Sequence, residues 1–447
     1  MRRKRALLFF CVSVLAVAAI LYLRRADYWR PYNDTPQESV VSMHAHGFAV
    51  ANFAGVWPNP VLARDVDVEH GKITEYNHWP NAFFLTLAAA IKLFGNTEMV
   101  GRSLALLYTI PGLYLLAFAF RNKSGVSYLA VPVLLVSPIG RDCLSFVFID
   151  AALLFWIGFL AAAVSLTRDR PATATRLFRL GSLVAPFFIH LIAPFAFFGA
   201  LARFWWGHRD RNVLCRDLLC VVGAFCTVMF FLSWTSSGLA AGARELLAQY
   251  LHRANLSQRY SENIGLFSLL ITLAKHFYVN LGYFALVLPL AFVNLARRRS
   301  LQAYLLPAVL VYTLLLRNYI GLHVFANLPL VSISTFTLVA GAEQVWPDER
   351  LWPRVALGAV LVASLFPTRL FSYYCVDQHV NAQVRALRLL EPEILKSPCN
   401  SFTIVGGDNY RVPQMFCGER VVRGIVNGEP KRHGVIDLGR RTVTAVP

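Results

Sequence analysis

Long apolar runs recur through this chain, each near the ~20 residues that an α-helix needs to cross a bilayer, with short clusters of arginine and lysine between them. Of the 447 residues, 56% are hydrophobic and 15% are charged, and the mean hydropathy is +0.50. That composition excludes a string of ordinary soluble domains and demands lipid as part of the solvent. The formal net charge of +18 does not point to nucleic acid, because the basic residues are spread over short loops and do not gather on one surface. They read as topology signals.

Spans are expected near residues 6–23, 102–120, 125–141, 150–167, 177–190, 191–206, 217–235, 278–296, 301–316, 323–342 and 354–370. The N-terminal run follows Met1-Arg-Arg-Lys-Arg5 and is itself followed by Arg24-Arg25 with no small-residue cleavage site, so it reads as an anchor in preference to a signal peptide. Lys and Arg in short loops stay cytoplasmic. This places Arg121–Lys123, residues 168–179 and 203–216, Arg297–Arg299 and the turn with Arg350 and Arg354 inside. The first external loop, residues 24–101, carries six basic and eight acidic residues and fits the opposite side. Within it, residues 82–94 are too short for a span and contain Lys92, so a helix lying along the membrane surface is expected. A second surface helix is expected in the long loop at 236–277.

After Leu370 the chain turns polar, and Ser401–Val405 and Arg420–Ile425 read as strands. The expected architecture is therefore an all-α polytopic membrane protein of about eleven spans over residues 1–370, with a small α/β extracytoplasmic domain at 371–447. Of eight cysteines, Cys11, Cys143, Cys215, Cys220 and Cys226 lie in or beside apolar runs without the paired spacing of zinc or haem sites, and among Cys375, Cys399 and Cys417 the preferred disulfide in an oxidising compartment is Cys399 with Cys417.

Ionisable residues are costly at membrane depth, so several reaching one face imply a lined cavity. The external face would gather Asp34, Glu38 and His78 from the first loop, Arg141 and Asp150 from the junction of the third and fourth spans, His190 between the fifth and sixth, and Arg317 and His323 between the ninth and tenth. Each has a plainer reading. Asp34 before Thr-Pro suits a helix cap, His78 an interfacial aromatic belt, Asp150 a structural pair inside the bundle, and His190 and His323 buried helix ends. The carboxylates Asp65, Asp67 and Glu69 lie in a loop where solvation is the ordinary outcome, so no metal is expected. No nucleotide-binding glycine motif is present in the sequence.

Four strings carry a resemblance: Tyr32-Asn-Asp-Thr-Pro-Gln-Glu38, Glu75-Tyr-Asn-His-Trp-Pro-Asn-Ala-Phe-Phe84, Phe148-Ile-Asp150, and His323-Val-Phe-Ala-Asn-Leu-Pro329. In this order and hydropathy, residues 1–370 resemble the membrane glycosyltransferases of the GT-C fold, in the protein O-mannosyltransferase and aminoarabinose-transferase superfamily. The resemblance implies transfer of a sugar from a polyprenyl-phosphate carrier to a lipid, glycan or protein acceptor on the outer face of the bacterial inner membrane, without a cofactor. It implies that Asp34 is the catalytic base or positions the acceptor, that His78 lies near the lipid phosphate, and that Asp150 and His323 match the family's acidic and histidine positions. Arg141, His190, Arg317 and Glu38 complete the expected substrate-binding set. The family's Asp-Glu doublet is here Asn33-Asp34, and its His-Pro-Pro-Leu string reads His-Trp-Pro-Asn. Two other classes compete: a transporter or lipid flippase, expected to carry broken mid-membrane helices and a repeat, and a non-catalytic partner of an envelope enzyme.

Overall fold

A computed structural model describes residues 62–67, 72–121, 126–143, 147–169, 173–185, 190–207, 211–257, 264–297, 300–345, 386–405 apart from 388, 417–446, and isolated positions before them. The chain packs into two units. One contains residues 1–24, 105–228 and 247–373, and the other contains residues 25–104, 229–246 and 374–447.

In chain order the elements are strands β1 (Ala63–Asp67) and β2 (Lys72–Tyr76), then helices α1 (Ala82–Phe94), α2 (Glu98–Ala119), α3 (Ala130–Val136), α4 (Pro138–Cys143), α5 (Ile149–Asp169), α6 (Thr173–Val184), α7 (Ala193–Gly207), α8 (Arg211–Ser233) and α9 (Leu239–Arg253). There follow α10 (Leu266–Leu281), α11 (Leu288–Arg297), α12 (Gln302–Leu315), α13 (Arg317–Leu322) and α14 (Leu328–Val345). Beyond these lie α15 (Glu391–Lys396), β3 (Ser401–Val405), α16 (Gly418–Val426), β4 (His433–Asp437) and β5 (Thr442–Ala445).

Among the described residues, four stretches are long and apolar enough to cross a membrane: Met99–Ala119, Ile149–Leu166, Leu214–Ser233 and Leu266–Arg297. This is an integral membrane protein. The last stretch contains the expected span at 278–296 and begins earlier, at Leu266, inside what read as external loop. Arg244, Arg253, Arg259 and Lys275 gave that loop a surface-helix look; Lys275 is exposed, while the neighbouring His276 is buried and hydrogen-bonded. Residues 125–141 do not form one continuous helix. A 3-10 turn at Val126–Leu129 leads into α3, and Ser137 in extended backbone breaks the chain before α4, which opens on Pro138.

The first unit is built around α14, which packs on α3, α5, α10, α11 and α12. Its serines and threonines are buried, and Thr335 and Thr337 return their hydroxyls to the carbonyls of Val331 and Ile333 in the preceding turn. Helices α2 and α5 meet at two glycines. A Cβ on Gly158 would stand 2.3 Å from the Gly112 carbonyl oxygen, and one on Gly112 would stand 2.7 Å from Phe155 Cα. Between α6 and α8, Arg179 donates to Asp217 at 2.9 Å with side chains 1% and 2% exposed.

In the second unit, β1 and β2 form an antiparallel hairpin in the register Ala63↔Tyr76 to Asp67↔Lys72, so the acidic loop of the sequence is ordered strand there. Tyr76 at the end of β2 meets Phe84 of α1 edge-on at 5.9 Å, and in α1 Phe83, Phe84, Leu87, Ala88 and Ile91 are buried while Leu93 and Phe94 are exposed. The C-terminal sheet runs β3-β4-β5, with β3 and β4 parallel and β5 antiparallel to β4. Parallel neighbours need a crossover, and α16 lies in it. Arg420–Ile425 is thus helix, not strand. Val421 and Val422 are fully buried and Ile425 packs on the same core, a helical spacing that a six-residue stretch of valine and isoleucine disguises. The expected Cys399–Cys417 disulfide is not formed. Both thiols are free and buried in the core with Phe402 and Ile436, and Cys417 Sγ is engaged by Arg420 Nη2 at 2.8 Å. Burial raises the Cys417 thiol above its ordinary range.

Candidate active site

Asp150 stands in the first turn of α5 and is 1% exposed. A carboxylate there is favoured by the positive end of the helix, and it is otherwise expensive in an apolar bundle. Its Oδ2 accepts the Tyr319 hydroxyl at 2.6 Å, a short bond of the kind made to an ionised or strongly polar acceptor. Its Oδ1 has no hydrogen-bond partner among the described residues. Phe148 stacks on the Tyr319 ring at 6.5 Å, and His323 lies tilted against that ring at 5.4 Å. His323 is also close enough to act electrostatically on the Asp150 carboxylate.

Tyr319 is presented by α13, a six-residue helix that has too little length to hold itself. Asparagines fix it at both ends. Asn318 Nδ2 donates to the His252 carbonyl at 2.7 Å, and the Ile264 amide donates to Asn318 Oδ1 at 2.8 Å. At the far end Asn327, fully buried, donates to the Ile320 carbonyl at 3.0 Å and faces His276 Nε2 at 3.3 Å. The His276 carbonyl in turn accepts from Asn280 Nδ2, and the Ile139 amide donates to Asn280 Oδ1 at 2.8 Å. This chain of bonds ties α4, α10 and α13 together.

His190 precedes α7, and its Nδ1 accepts the amides of Ile192 and Ala193, each at 3.2 Å. A ring nitrogen that caps a helix in this way carries no proton, so the proton sits on Nε2. That nitrogen is 3.5 Å from the Tyr312 hydroxyl. Arg317 Nη2 donates to the Asn255 carbonyl at 3.0 Å, and Asn255 itself takes left-handed backbone with φ 56° at the end of α9.

Arg253, in the last turn of α9, acts on this whole group. Its guanidinium lies 5.2 Å from the Tyr250 ring centroid and its charge reaches His190, Tyr312 and Tyr319. Burial and the Asp150 charge raise the Tyr319 phenol well above its ordinary value, and Arg253 opposes the shift. Burial likewise raises Tyr250 to about 12. The cluster therefore combines a buried carboxylate oxygen without a hydrogen-bond partner among the described residues, phenols that keep their protons, a neutral imidazole and two arginines. Such a set can hold a hydroxyl by a carboxylate and spread the charge of a phosphate.

Of the residues expected from sequence, Asp150, His190, Arg317 and His323 fall in this unit, joined by Tyr250, Arg253, Tyr312 and Tyr319, which the sequence reading did not select. Arg141 lies on α4. His78 belongs to the other unit, where its Nε2 is 3.6 Å from Glu245 Oε1 and its ring tilts against Tyr76. Asp34 and Glu38 lie outside the described residues.

No family model and no curated protein matches this sequence. Two solved structures align along nearly its whole length. ArnT from Cupriavidus metallidurans bound to undecaprenyl phosphate superposes with a TM-score of 0.56 at 16% identity, over 93% of this chain and 78% of that one. This chain has the ArnT fold. The apo state of ArnT from the same organism gives a TM-score of 0.55 at 14% identity, over 96% and 76% of the two chains. The likeness is one of architecture, an ArnT-like GT-C fold.

Proposed function

We propose that this chain is a glycosyltransferase that takes a sugar from a polyprenyl-phosphate carrier and passes it to a cell-envelope lipid, glycan or protein on the outer face of the membrane. The observation that carries the reading is the ArnT fold over 93% of the chain, with undecaprenyl phosphate bound to one of the two aligned structures. That fold does not favour the transporter or flippase alternative. In the proposed step the acceptor oxygen forms a bond to the anomeric carbon while the bond from that carbon to the carrier phosphate breaks. The acceptor proton passes to a carboxylate, the carrier phosphate leaves with the electron pair, and the anomeric centre inverts.

Asp34 is the proposed base, on the strength of the sequence resemblance. Asp150, held by Tyr319, orients a donor group through its unpaired Oδ1. Arg253 and Arg317 carry the charge to meet the phosphate, with His190, His323, Arg141, His78 and Glu38 as further contacts. No metal or cofactor enters the reading. The same proposal includes about eleven spans, residues 371–447 as an extracytoplasmic domain, and the bacterial inner membrane as the location.

The test is mass spectrometry of lipids from a deletion strain, together with sugar transfer by the purified chain. Accumulation of a polyprenyl-phosphate sugar that the restored gene removes, and Asp34→Asn does not, is the expected result. An unchanged lipid profile would sink the proposal. Cysteine labelling from outside at position 34 against position 299 tests the orientation, and equal protection at both would overturn it.

A further inference from the structure

The second unit holds a cavity of about 340 Å3. Its walls come from β2 and the turn between α8 and α9, and include Thr74, Glu75, Asn77, Ser236, Ser237 and Glu245. The volume falls in the range of about 300–1,000 Å3 typical of small-ligand sites. The lining contains no lysine or arginine, in a chain whose net charge is +18. A phosphate-bearing ligand would meet two carboxylates there, which like-charge repulsion disfavours.

The walls are fixed before any ligand arrives. Asn59 Nδ2 donates to the carbonyls of Phe231 and Trp234 at 2.9 and 2.8 Å, closing the end of α8. The Ser236 amide donates to Glu75 Oε2, and Asn77 Nδ2 to the Gly242 carbonyl at 3.2 Å. Gly242 has no room for a side chain, since a Cβ would stand 2.3 Å from the Ser233 carbonyl oxygen. Glu75, with its side chain 3% exposed, has an Oε1 that Arg64 Nη1 reaches at 3.4 Å, longer than the ~2.7–2.9 Å of a full charge-assisted bond. That oxygen retains capacity for a hydroxyl donor. Glu245 on the opposite wall is 41% exposed and shares its charge with His78.

Hydroxyls, an amide and carboxylate oxygens on rigid backbone are the groups that recognise vicinal hydroxyls, as donors and acceptors at fixed spacing. We infer that this cavity is an acceptor subsite, holding a phosphate-free sugar unit of the molecule that receives the transferred sugar; the inference rests on the glycosyltransferase reading.

The full-length protein in detergent micelles is tested by saturation-transfer NMR with methyl β-glucoside, glucosamine and glucose 6-phosphate. The first two should receive saturation on their ring protons, and glucose 6-phosphate at least about fivefold less, the weight of one or two hydrogen bonds. Ser237→Trp, which fills the cavity, and the conservative Glu245→Gln should each weaken the two positive signals. Thermal stabilisation by undecaprenyl phosphate is measured on the same preparations and reports that each variant is folded. Sugar signals lost in the variants, with that stabilisation kept, support the subsite. Sugar signals unchanged in both variants, or glucose 6-phosphate binding as well as its parent, overturn the subsite and leave the donor reading intact. Absence of undecaprenyl phosphate stabilisation in the wild type overturns the donor reading, and the acceptor assignment falls with it.

Discussion

Tyr319 gives its hydroxyl hydrogen to Oδ2 of Asp150 at 2.6 Å across 169 residues of sequence. The bond joins the first turn of α5 to the six-residue helix α13. Removing the hydroxyl leaves a buried carboxylate without its donor, which costs roughly 1–3 kcal/mol. Tyr319→Phe should therefore lower the unfolding midpoint in detergent, and Asp150→Asn less so, since an amide oxygen still accepts the bond. Equal losses in the two variants would show that the bond does not hold α13.

The Arg179–Asp217 pair is buried on both sides. Breaking it by Arg179→Met alone should destabilise the chain by about 3–5 kcal/mol, because an unpaired charge is left in a dry site. Arg179→Met combined with Asp217→Leu should recover most of that loss. A double variant as unstable as the single one would count against the pair as a buried ionic contact.

Tyr250 sets an alkaline limit. Unfolded, its phenol titrates near 10.0, and folded it holds the proton to about 12 because burial outweighs the help of Arg253 and the Leu191 amide. Between those values the unfolded chain has lost a proton that the folded chain keeps, so stability falls as pH rises through that window. Tyr319, raised in the same direction, adds to the slope. Denaturant unfolding from pH 9 upward should show a flatter decline for Tyr250→Phe than for the wild type, and an identical decline would remove Tyr250 from the account.

Arg253 is expected to meet the carrier phosphate. A charge-assisted contact is worth roughly 1.5–3 kcal/mol, so Arg253→Met should weaken undecaprenyl phosphate binding by about tenfold or more. Binding as tight as in the wild type would assign the phosphate to other cations.

Much of the scaffold was legible because membrane helices announce themselves by length and by the absence of charge. Helix α1 and strand β3 lie where the sequence placed them, and Asp150 opens a helix as its position before an apolar run implied. The partners of Asp150 were not legible. Tyr312, Tyr319 and Tyr250 sit among apolar neighbours, where a tyrosine reads as core or aromatic belt, and only the packed chain shows which hydroxyls find acceptors. Asn280, Asn318 and Asn327 gave a signal that was not used: a buried amide in or beside an apolar run must be paired, and all three are. The β1–β2 hairpin was hidden by its charge, since Arg64 and Glu75 pair in the interior and look, in sequence, like solvated loop residues.

The glycine contact between α2 and α5 has a consequence for the carboxylate at the head of α5. Gly158 and Asp150 are separated by eight residues, about 12 Å of helical rise. Where two backbones touch with no side chain between them, neither rod can slide or roll without collision. The height and bearing of the Asp150 oxygens are thus dictated from two turns away by an interlock that carries no charge and forms no bond.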